Sequence, residues 1–214
     1  MVARLTQTPQ GPIVAILQYN CGNANYRTAR PFFDQLDPGR HQIVAVQEPG
    51  FNAKAKSTYC PLGYHLAYRP EASTRVCFMI SRALDIGSWE CRTEHADITV
   101  LTLRTGYGPI DIVNVYNPKP YTSWSRAPSR LPEVAEAIES SITKGREVIL
   151  LGDFNLHHPQ WGGVYCAADT LAEDLLTIVN QQGLSLSLPL GSITWRRGGR
   201  ASTIDLTFVS SGLS

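Results

Sequence analysis

Polar side chains that could bind a metal ion or a phosphate follow four apolar runs of the sequence. Each run is rich in β-branched residues and predicts a buried strand. The polar positions at or just beyond the ends of these runs are Asn20, Glu48, Tyr116, Asp153 and Asn155. If the strand ends meet in space, their carboxylate, carboxamide and phenol groups line one polar cleft.

Such a cleft suits a hard divalent cation and a phosphate ester. Mg²⁺ prefers oxygen ligands, keeps several waters and needs only one or two protein carboxylates. We expect Glu48 to be the metal ligand and Asp153 to orient or deprotonate an attacking water. Asn20 and Asn155 can donate hydrogen bonds to phosphate oxygens, and Tyr116 can do likewise or stabilise developing charge.

A further carboxylate, Asp205, lies between Ser202 and Phe208 in a strand-like run where an acid is unexpected. Each residue of the set also has an ordinary structural explanation. An Asp or Asn after a strand is most often a turn former. Tyr116 could be a core aromatic, and Asp205 could be a surface carboxylate on an edge strand. The order of the whole set along the chain favours function.

The elements that must position these residues are mainly strands. Apolar runs predict strands at residues 13–17, 43–46, 76–80, 98–103, 110–115, 148–151 and 204–209. Three helices are expected at roughly 28–36, at 131–143 and at 170–182. The second has Pro132 near its start and Gly145 beyond its end, and the third has a Thr170–Glu173 capping box and Gly183 after it. Because strands do not alternate strictly with helices, two packed sheets with helices outside are favoured.

The composition is that of an ordinary globular domain. The chain has 214 residues, 43% hydrophobic residues, 17% charged residues and a net charge of +1. Any DNA site must therefore come from local clustering of charge. Five scattered cysteines without a CxxC pair are typical of reduced thiols. Without an apolar run of membrane-spanning length or a signal peptide, we expect a nuclear or cytoplasmic protein and no membrane partner. Residues 1–12 are expected to be a flexible lead before a domain at 13–214.

Four motifs carry a family resemblance. The segments Gln47-Glu48, Val115-Tyr116-Asn117-Pro118, Gly152-Asp153-Phe154-Asn155 and Ser202-Thr203-Ile204-Asp205 resemble, in that order, the signature blocks of the endonuclease/exonuclease/phosphatase superfamily. The longer stretch from Leu151 to Gly162, together with Thr194-Trp195, resembles more specifically the apurinic-type endonuclease domain of LINE-type (non-LTR) retrotransposons.

The resemblance implies an α/β fold, a four-layered α/β sandwich in which two packed mixed β-sheets are flanked by helices. It implies Mg²⁺ dependence, with Mn²⁺ as the alternative, and nicking of double-stranded DNA that leaves a 3′-hydroxyl. It also implies a reverse transcriptase domain in the parent polypeptide. By motif, Asn20 matches the phosphate-site asparagine, Glu48 the metal ligand and Tyr116 the active-site tyrosine. Asp153 matches the water-activating aspartate, and Asn155 matches its partner asparagine. Asp205 matches the carboxylate of the penultimate motif.

The chain departs from the family pattern at its end. The family closes with a strand preceded by Ser-Asp-His, whose histidine binds the scissile phosphate, and no such triplet occurs before Ser214. We therefore expect the final strand to be missing and one sheet to have an open edge. His157 and His158 follow the Asp153 loop, and we count His158 among the candidate substrate-binding residues. The alternative is that the His-His-Pro segment only shapes that loop.

An arginine-rich segment is the candidate DNA-binding surface. Arg196, Arg197 and Arg200 flank Gly198-Gly199, which is a hairpin turn signal. With Thr194 they are expected to bind substrate, because arginines at such a tip can grip phosphates or enter a minor groove. A solvated hairpin is the ordinary alternative. The loop at 119–126, which mixes aromatic and cationic residues, could also face DNA or be a Pro-stiffened surface loop.

Three functions stay open on this evidence. The leading hypothesis is a Mg²⁺-dependent DNA endonuclease domain of a LINE-type retrotransposon. The second, motivated by the missing Ser-Asp-His, is a truncated or domesticated derivative that binds nucleic acid or another ligand with little or no cleavage. The third is a phosphoesterase acting on a small substrate, against which the arginine-rich segment argues.

Overall fold

The chain folds into two mixed β-sheets with helices on their outer faces. The computed structural model describes residues 2–4, 14–22, 24, 26–68, 73–119 and 128–213. The strands are β1 (Val2–Arg4), β2 (Ala15–Asn20), β3 (Ile43–Gln47), β4 (Phe51–Asn52), β5 (Ser57–Thr58), β6 (Tyr64–Ala67), β7 (Val76–Ser81), β8 (Trp89–His95), β9 (Ile98–Thr105), β10 (Gly108–Tyr116), β11 (Glu147–Asp153), β12 (Leu184–Leu186), β13 (Trp195–Arg197), β14 (Arg200–Ser202) and β15 (Asp205–Ser210). The helices are α1 (Tyr26–Phe33), α2 (Leu131–Thr143), α3 (Pro159–Gly162) and α4 (Thr170–Gln181).

Each sheet combines one parallel pair with antiparallel neighbours. The first sheet has the order β1-β2-β3-β7-β6, and the second has the order β12-β15-β11-β10-β9-β8. The parallel pairs are β2 with β3 and β10 with β11. Two separate hairpins, β4–β5 and β13–β14, complete the described strands.

The two sheets pack face to face and form four layers with the helices. Ile43 and Phe78 of the first sheet share a buried cluster with Leu101 and Ile149 of the second. A second cluster joins the outer face of the second sheet to α2 and α4, and a third joins the outer face of the first sheet to α1. The predicted α/β sandwich of two mixed sheets flanked by helices is confirmed.

The central strands are apolar on both faces because both faces are covered. Along β10, Ile112 lies in the cluster between the sheets, and the next residue, Val113, lies in the cluster under the helices. Successive side chains of a strand point to opposite faces, so a doubly covered strand is apolar throughout. This explains why continuous apolar runs identified the central strands in the sequence.

The edge strands were not predicted, because they lack that pattern. Strand β8 has the sequence Trp-Glu-Cys-Arg-Thr-Glu-His, is only partly buried and pairs with β9 alone. Charged side chains are typical of such edges, where they discourage pairing with another chain.

The N-terminal residues differ from the expected flexible lead. Val2–Arg4 form β1, which pairs antiparallel with β2 in the register Val2↔Leu17. The backbone groups at the edge of β2 are available to any extended segment nearby, which accounts for the pairing. The rest of the expected lead, residues 5–12, lies outside the described residues.

Two details of the helices also differ from the predictions. Helix α1 begins and ends earlier than expected, because residues 34–36 form turn hydrogen bonds after it. The Thr170–Glu173 capping box does not form. Asp169 is the N-cap residue of α4, and Glu173 instead contacts His158. The predicted bounds of α2 and the predicted role of Gly183, which has a φ of +66° after α4, are confirmed.

None of the helices in the described part of the chain is both long enough and apolar enough to cross a bilayer. After β15 the chain forms a single 3₁₀ turn, Ser211–Leu213.

Candidate active site

The six candidate catalytic residues meet in one cleft of about 280 Å³ at the end of both sheets. The cleft is lined by Asn20, Glu48, Tyr116, Asp153, Asn155 and Asp205, together with Cys21, Gly22, Thr194, Trp195 and Ile204. The expectation that the polar strand ends converge is therefore met by the geometry. A cavity of about 510 Å³ adjoins the cleft and shares Asn20, Thr194 and Asp205 with it.

Strand pairing explains the convergence. Tyr116 is the last residue of β10 and lies opposite Asp153, the last residue of the parallel strand β11. Asp153 in turn lies opposite Asp205, the first residue of the antiparallel strand β15. In the other sheet, Asn20 ends β2 beside the end of β3, directly before Glu48. The parallel strands end at the same edge, so their terminal side chains become neighbours.

Gly152 allows β11 to approach β10 closely at the site. Its φ is +155°, and a Cβ built on it would lie 2.0 Å from the carbonyl oxygen of Val115. A contact of this length with backbone cannot be relieved by rotating a side chain. The glycine that precedes Asp153 is therefore required by packing between the two strands.

Two buried carboxyl groups, Asp153 and Asp205, share one amide donor. Asn20 Nδ2 lies 2.7 Å from Asp153 Oδ2 and 3.3 Å from Asp205 Oδ1, and it donates to both. Asn155 N–H donates to Asp153 Oδ1 at 3.1 Å. Asn20 is itself held by the N–H of Gly22, which donates to its Oδ1.

The environment disfavours charge on both acids. Burial, followed by the neighbouring Asp205, raises the pKa of Asp153 to about 8. Burial also raises the pKa of Asp205, although Thr194 and Asn20 oppose this shift by hydrogen bonding. Desolvation and a like charge both favour the protonated form of an acid. Asp153 therefore titrates in the range where a carboxyl group can exchange protons near neutral pH.

Glu48 and Tyr116 form another part of the lining. Glu48 has a φ of +47°, a left-handed conformation that is uncommon for a residue other than glycine. Its N–H donates to the carbonyl oxygen of Arg75 at 2.7 Å. Burial, followed by the Glu48 carboxylate, raises the pKa of the Tyr116 hydroxyl, which therefore stays protonated at neutral pH.

Arg75 is a site neighbour that the sequence did not reveal. Its guanidinium lies 4.8 Å from the centre of the Tyr116 ring, and its Nη1 lies 3.6 Å from Glu48 Oε1. The residue directly precedes the predicted strand at 76–80. That strand pairs antiparallel with β3, so its start meets the end of β3 beside Glu48. This pairing was not visible in the sequence.

Asn155 is fixed by a second asparagine, Asn117. Asn155 has a φ of +52°, and its Nδ2 donates to the carbonyl oxygen of Asn117 at 3.0 Å. Asn117 is fully buried, donates from its Nδ2 to Phe154 O and accepts at its Oδ1 from the N–H of Arg130. Asn117 thus ties the start of α2 to the loop that follows Asp153.

Thr194 lines the cleft, but its hydroxyl oxygen already accepts hydrogen bonds from the backbone. That oxygen accepts hydrogen bonds from the N–H groups of Ile204 and Asp205, each at 3.0 Å. The contacts join the chain just before β13 to the start of β15. This geometry suits a residue that positions Asp205 better than one that binds substrate directly.

His157 and His158 are not in the lining of the cleft. His158 Nδ1 accepts the N–H of Gln160 at the start of α3, and its Nε2 lies 3.0 Å from Glu173 Oε1. His157 Nδ1 lies 3.0 Å from Asp169 Oδ2. The position of His158 therefore does not support the expected contact with substrate. It agrees with the alternative that this segment shapes the Asp153 loop.

The arginine-rich segment forms the predicted hairpin. Strands β13 and β14 pair in the register Arg197↔Arg200, and Gly198 and Gly199 have φ values of +54° and +79°. All three arginines, Arg196, Arg197 and Arg200, are exposed. The hairpin begins at Trp195, which lines the cleft. Most of the other candidate DNA-facing loop, residues 120–126, lies outside the described residues.

The residues of the cleft fit a divalent cation. Within the described ranges, no cluster of three or more His, Cys, Asp or Glu side chains is arranged to enclose a metal ion. A partly hydrated Mg²⁺ needs no such cluster, because one or two carboxylates suffice. Glu48 lines the cleft and offers one such carboxylate. Burial disfavours the charged forms of Asp153 and Asp205, and a cation in the cleft would favour them.

Known proteins resemble the chain in part of its sequence and in its fold. Residues 110–214 match the family described as "Endonuclease-reverse transcriptase". No curated protein sequence is similar enough to match the chain.

Three solved structures show the same fold. The endonuclease domain of TRAS1, a telomere-specific non-LTR retrotransposon, is 18% identical, with a TM-score of 0.61 over 92% of this chain and 85% of that one. The 3′-5′ exonuclease NExo from Neisseria meningitidis is 16% identical, with a TM-score of 0.68 over 92% and 87%. The AP endonuclease LMAP from Leishmania major is 14% identical, with a TM-score of 0.68 over 92% and 78%. The resemblance that the motifs predicted is therefore confirmed: the chain has the fold of the endonuclease/exonuclease/phosphatase superfamily, and its residues 110–214 match the "Endonuclease-reverse transcriptase" family.

Proposed function

We propose that the chain is the endonuclease domain of a LINE-type retrotransposon, which uses a divalent cation to hydrolyse a phosphodiester bond of double-stranded DNA. The observation that carries the proposal is the buried pair Asp153 and Asp205, bridged by Asn20 in the cleft that also contains Glu48. A base, a cation ligand and an amide donor in one water-accessible cleft are the groups that phosphodiester hydrolysis needs.

Each residue has a distinct part in the proposed reaction. Asp153 accepts a proton from the water that attacks phosphorus, and its pKa of about 8 suits a base working near neutral pH. Asn20 holds Asp153 in place, and Asn117 fixes the backbone of the Asp153 loop through Asn155. Glu48 would hold Mg²⁺ or Mn²⁺, which when bound supplies positive charge to the phosphate. Breaking the bond between phosphorus and the 3′ oxygen, which takes up a proton from solvent, leaves a 3′-hydroxyl and a 5′-phosphate.

The protonated Tyr116 hydroxyl can donate a hydrogen bond to a phosphate oxygen. Its raised pKa keeps the proton on the oxygen throughout the neutral range. A donor that is already in place stabilises the charge that develops on the phosphate in the transition state. Tyr116 therefore has a role that a phenylalanine could not fill.

DNA is the substrate that the exposed surface favours. The arginine hairpin carries three exposed cations next to Trp195 of the cleft. Two structures of the same fold are described as bound to DNA: Neisseria NExo with a product DNA hairpin and Danio rerio TDP2 with a single-stranded DNA product. The hairpin disfavours the alternative of a small phosphoester substrate, because binding such a substrate does not require exposed arginines outside the cleft.

A second candidate function is binding of nucleic acid with little or no cleavage. It is favoured by the placement of the histidines, because none of those in the described residues lines the cleft. A histidine at the scissile phosphate is part of the family pattern. Removing one electrostatic stabiliser of this kind typically costs on the order of a hundredfold to a thousandfold in rate.

Nicking of supercoiled plasmid separates the two candidates. We expect the chain to convert supercoiled plasmid to the open circle in Mg²⁺ but not in EDTA, and Asp153→Ala to reduce the rate at least about a hundredfold. Asp174→Ala, at an exposed aspartate of α4, is the matched control and should cut normally. Extension of the nicks by a DNA polymerase without prior phosphatase treatment tests for the 3′-hydroxyl. Plasmid binding without any nicking above the Asp153→Ala background would instead establish the second candidate.

A further inference from the structure

In the described part of the chain, Arg75 is the cation that forms an ion pair with an acidic group of the cleft, Glu48. Among the described residues, those that line the cleft include three carboxyl groups but no lysine or arginine. Arg75 stands at the rim, in contact with the lining residues Glu48 and Tyr116. A DNA phosphate that approaches three acids is repelled unless positive charge is close by.

The backbone of Arg75 is fixed between the two sheets. Its N–H donates to the carbonyl oxygen of Ala96, in the turn between β8 and β9, at 2.7 Å. Its own carbonyl oxygen accepts the N–H of Glu48, also at 2.7 Å. The residue is thus held from both sheets, and the base of its side chain is placed beside the cleft without relying on the side chain itself.

Two contacts orient the guanidinium of Arg75, and neither of them is a hydrogen bond. It stacks over the Tyr116 ring at 4.8 Å. Its Nη1 lies 3.6 Å from Glu48 Oε1, so the two groups form an ion pair but are too far apart for a hydrogen bond. Within the described residues no hydrogen bond from this guanidinium is formed, and the side chain is 45% exposed. Its N–H donors therefore remain available to a ligand in the cleft.

We propose that Arg75 binds a backbone phosphate of the DNA strand that occupies the cleft. This inference rests on the proposed function. A guanidinium presents a planar set of donors that matches two phosphate oxygens at once. The contacts with the Tyr116 ring and with Glu48 hold this group beside the cleft. Arg75 thus places a positive charge beside Glu48 and Tyr116, at the rim of the cleft that Asp153 and Asp205 also line.

The salt dependence of DNA binding tests the contact without any cleavage. Binding of a short duplex is measured in EDTA over a series of KCl concentrations, and log Kd is plotted against log salt. Each phosphate neutralised by a cationic side chain contributes about 0.9 to the slope on B-DNA. We expect Arg75→Gln to lower the slope by about that amount and Arg75→Lys, which keeps the charge, to retain it.

Arg104→Gln is the matched control. Arg104 is also partly exposed and ion-paired, with Glu90 at 3.3 Å, but it lies on β9 beside Pro109, at the opposite end of the sheet from Tyr116. Its replacement should leave the slope unchanged. A thermal melt of each variant checks the fold, since a merely structural role of Arg75 would lower the melting temperature and not the slope.

The outcomes separate this inference from the proposed function. An Arg75→Gln chain that binds with the same slope as the unsubstituted chain would overturn the inference and leave the proposed function intact. An unsubstituted chain that neither binds the duplex nor nicks plasmid would overturn both. A lower slope for Arg75→Gln, restored by Arg75→Lys, would establish the contact.

Discussion

Asp153 of β11 and Asp205 of β15 are direct partners across an antiparallel strand pair, and the same amide nitrogen of Asn20 lies within 3.3 Å of both carboxyl groups. Both acids are buried. Like charges directly opposite each other across a sheet destabilise it, and burial adds to the cost. The raised pKa values of the pair therefore favour a proton on at least one of its carboxyl groups at neutral pH. This has consequences for both catalysis and stability.

The rate of nicking should fall as the pH drops below the pKa of Asp153, because this residue can accept a proton from water only when it is deprotonated. Without a cation that pKa is about 8, and a cation bound in the cleft should lower it. Below the pKa, each pH unit should reduce the rate about tenfold. Asp205→Asn removes a charge that raises this pKa, so the inflection should move to lower pH.

Initial rates at saturating Mg²⁺, normalised for each variant, test this dependence. Asp174→Asn at the surface of α4 is the control and should keep the inflection of the unsubstituted chain. An inflection that stays in place or moves upward in Asp205→Asn would contradict the assignment of Asp153 as the base.

Asp153→Asn should stabilise the protein at neutral pH while abolishing cleavage. The pKa of Asp153 is higher in the folded chain, at about 8, than its ordinary value of 3.8. Its carboxyl therefore lowers stability increasingly as the pH rises from about 4 to about 8. We expect Asn to raise the free energy of unfolding by roughly 1 to 3 kcal/mol at pH 7, below the full linkage value because the cleft admits water. Urea unfolding at pH 4 and pH 7 measures the difference, which should disappear at the lower pH.

Gly152→Ala should destabilise the fold strongly. The added methyl group would meet the Val115 carbonyl oxygen at 2.0 Å, and β10 and β11 would have to separate at the site. We expect a loss of roughly 3 kcal/mol or more. Gly145→Ala is the matched control, because its φ is +68° but no atom lies within 4 Å of the added carbon. It should cost only about 1 kcal/mol. Equal losses for the two variants would argue against close strand approach as the reason for Gly152.

Asp111→Asn should destabilise the end of the sheet that lies opposite the cleft. Asp111 is fully buried, and it accepts hydrogen bonds from Thr102, Ser141, Arg92 and Arg146 at 2.6 to 3.2 Å. Burial alone would raise its pKa, but these contacts outweigh burial and hold the pKa below its ordinary value. Loss of the charge removes the carboxylate partner of Arg146 and leaves Arg92 paired with Glu94 alone, which costs roughly 3 kcal/mol.

The effect of the Asp111 carboxyl group on stability has the opposite pH dependence to that of the Asp153 carboxyl group. A carboxyl with a lowered pKa stabilises the fold above its ordinary pKa, and this stabilisation is lost as the pH falls through the folded value. The free energy of unfolding of the Asp111→Asn variant should therefore differ most from that of the unsubstituted chain at neutral pH. This difference in free energy should become smaller at acid pH. Nicking per folded molecule should be unchanged, since Asp111 lies far along β10 from Tyr116.

Local patterns in the sequence predicted the central strands and the ends of α2 and α4. Strand β10 could be predicted because burial on both faces requires a continuous apolar run. The end of α4 could be predicted because Gly183 adopts a left-handed conformation at low cost. Edge strands such as β8 could not, because their charged and half-buried residues resemble those of loops.

The sequence by itself determined which residues could do the chemistry. Asn20, Glu48, Tyr116, Asp153, Asn155 and Asp205 stand at or next to the ends of apolar runs, and their motifs match one superfamily in order. This information is local, because strand ends and motif residues are adjacent in the chain.

Only the tertiary structure decided how these residues affect one another. The raised pKa of Asp153 depends on Asp205, which is 52 positions away in sequence but opposite in the sheet. Arg75 reaches Glu48 because β7 pairs with β3, and His158 faces Glu173 of α4 instead of the cleft. Electrostatic and hydrogen-bonding effects act over a few ångströms of space, and the partners within that distance are set by strand pairing and packing, not by separation along the chain.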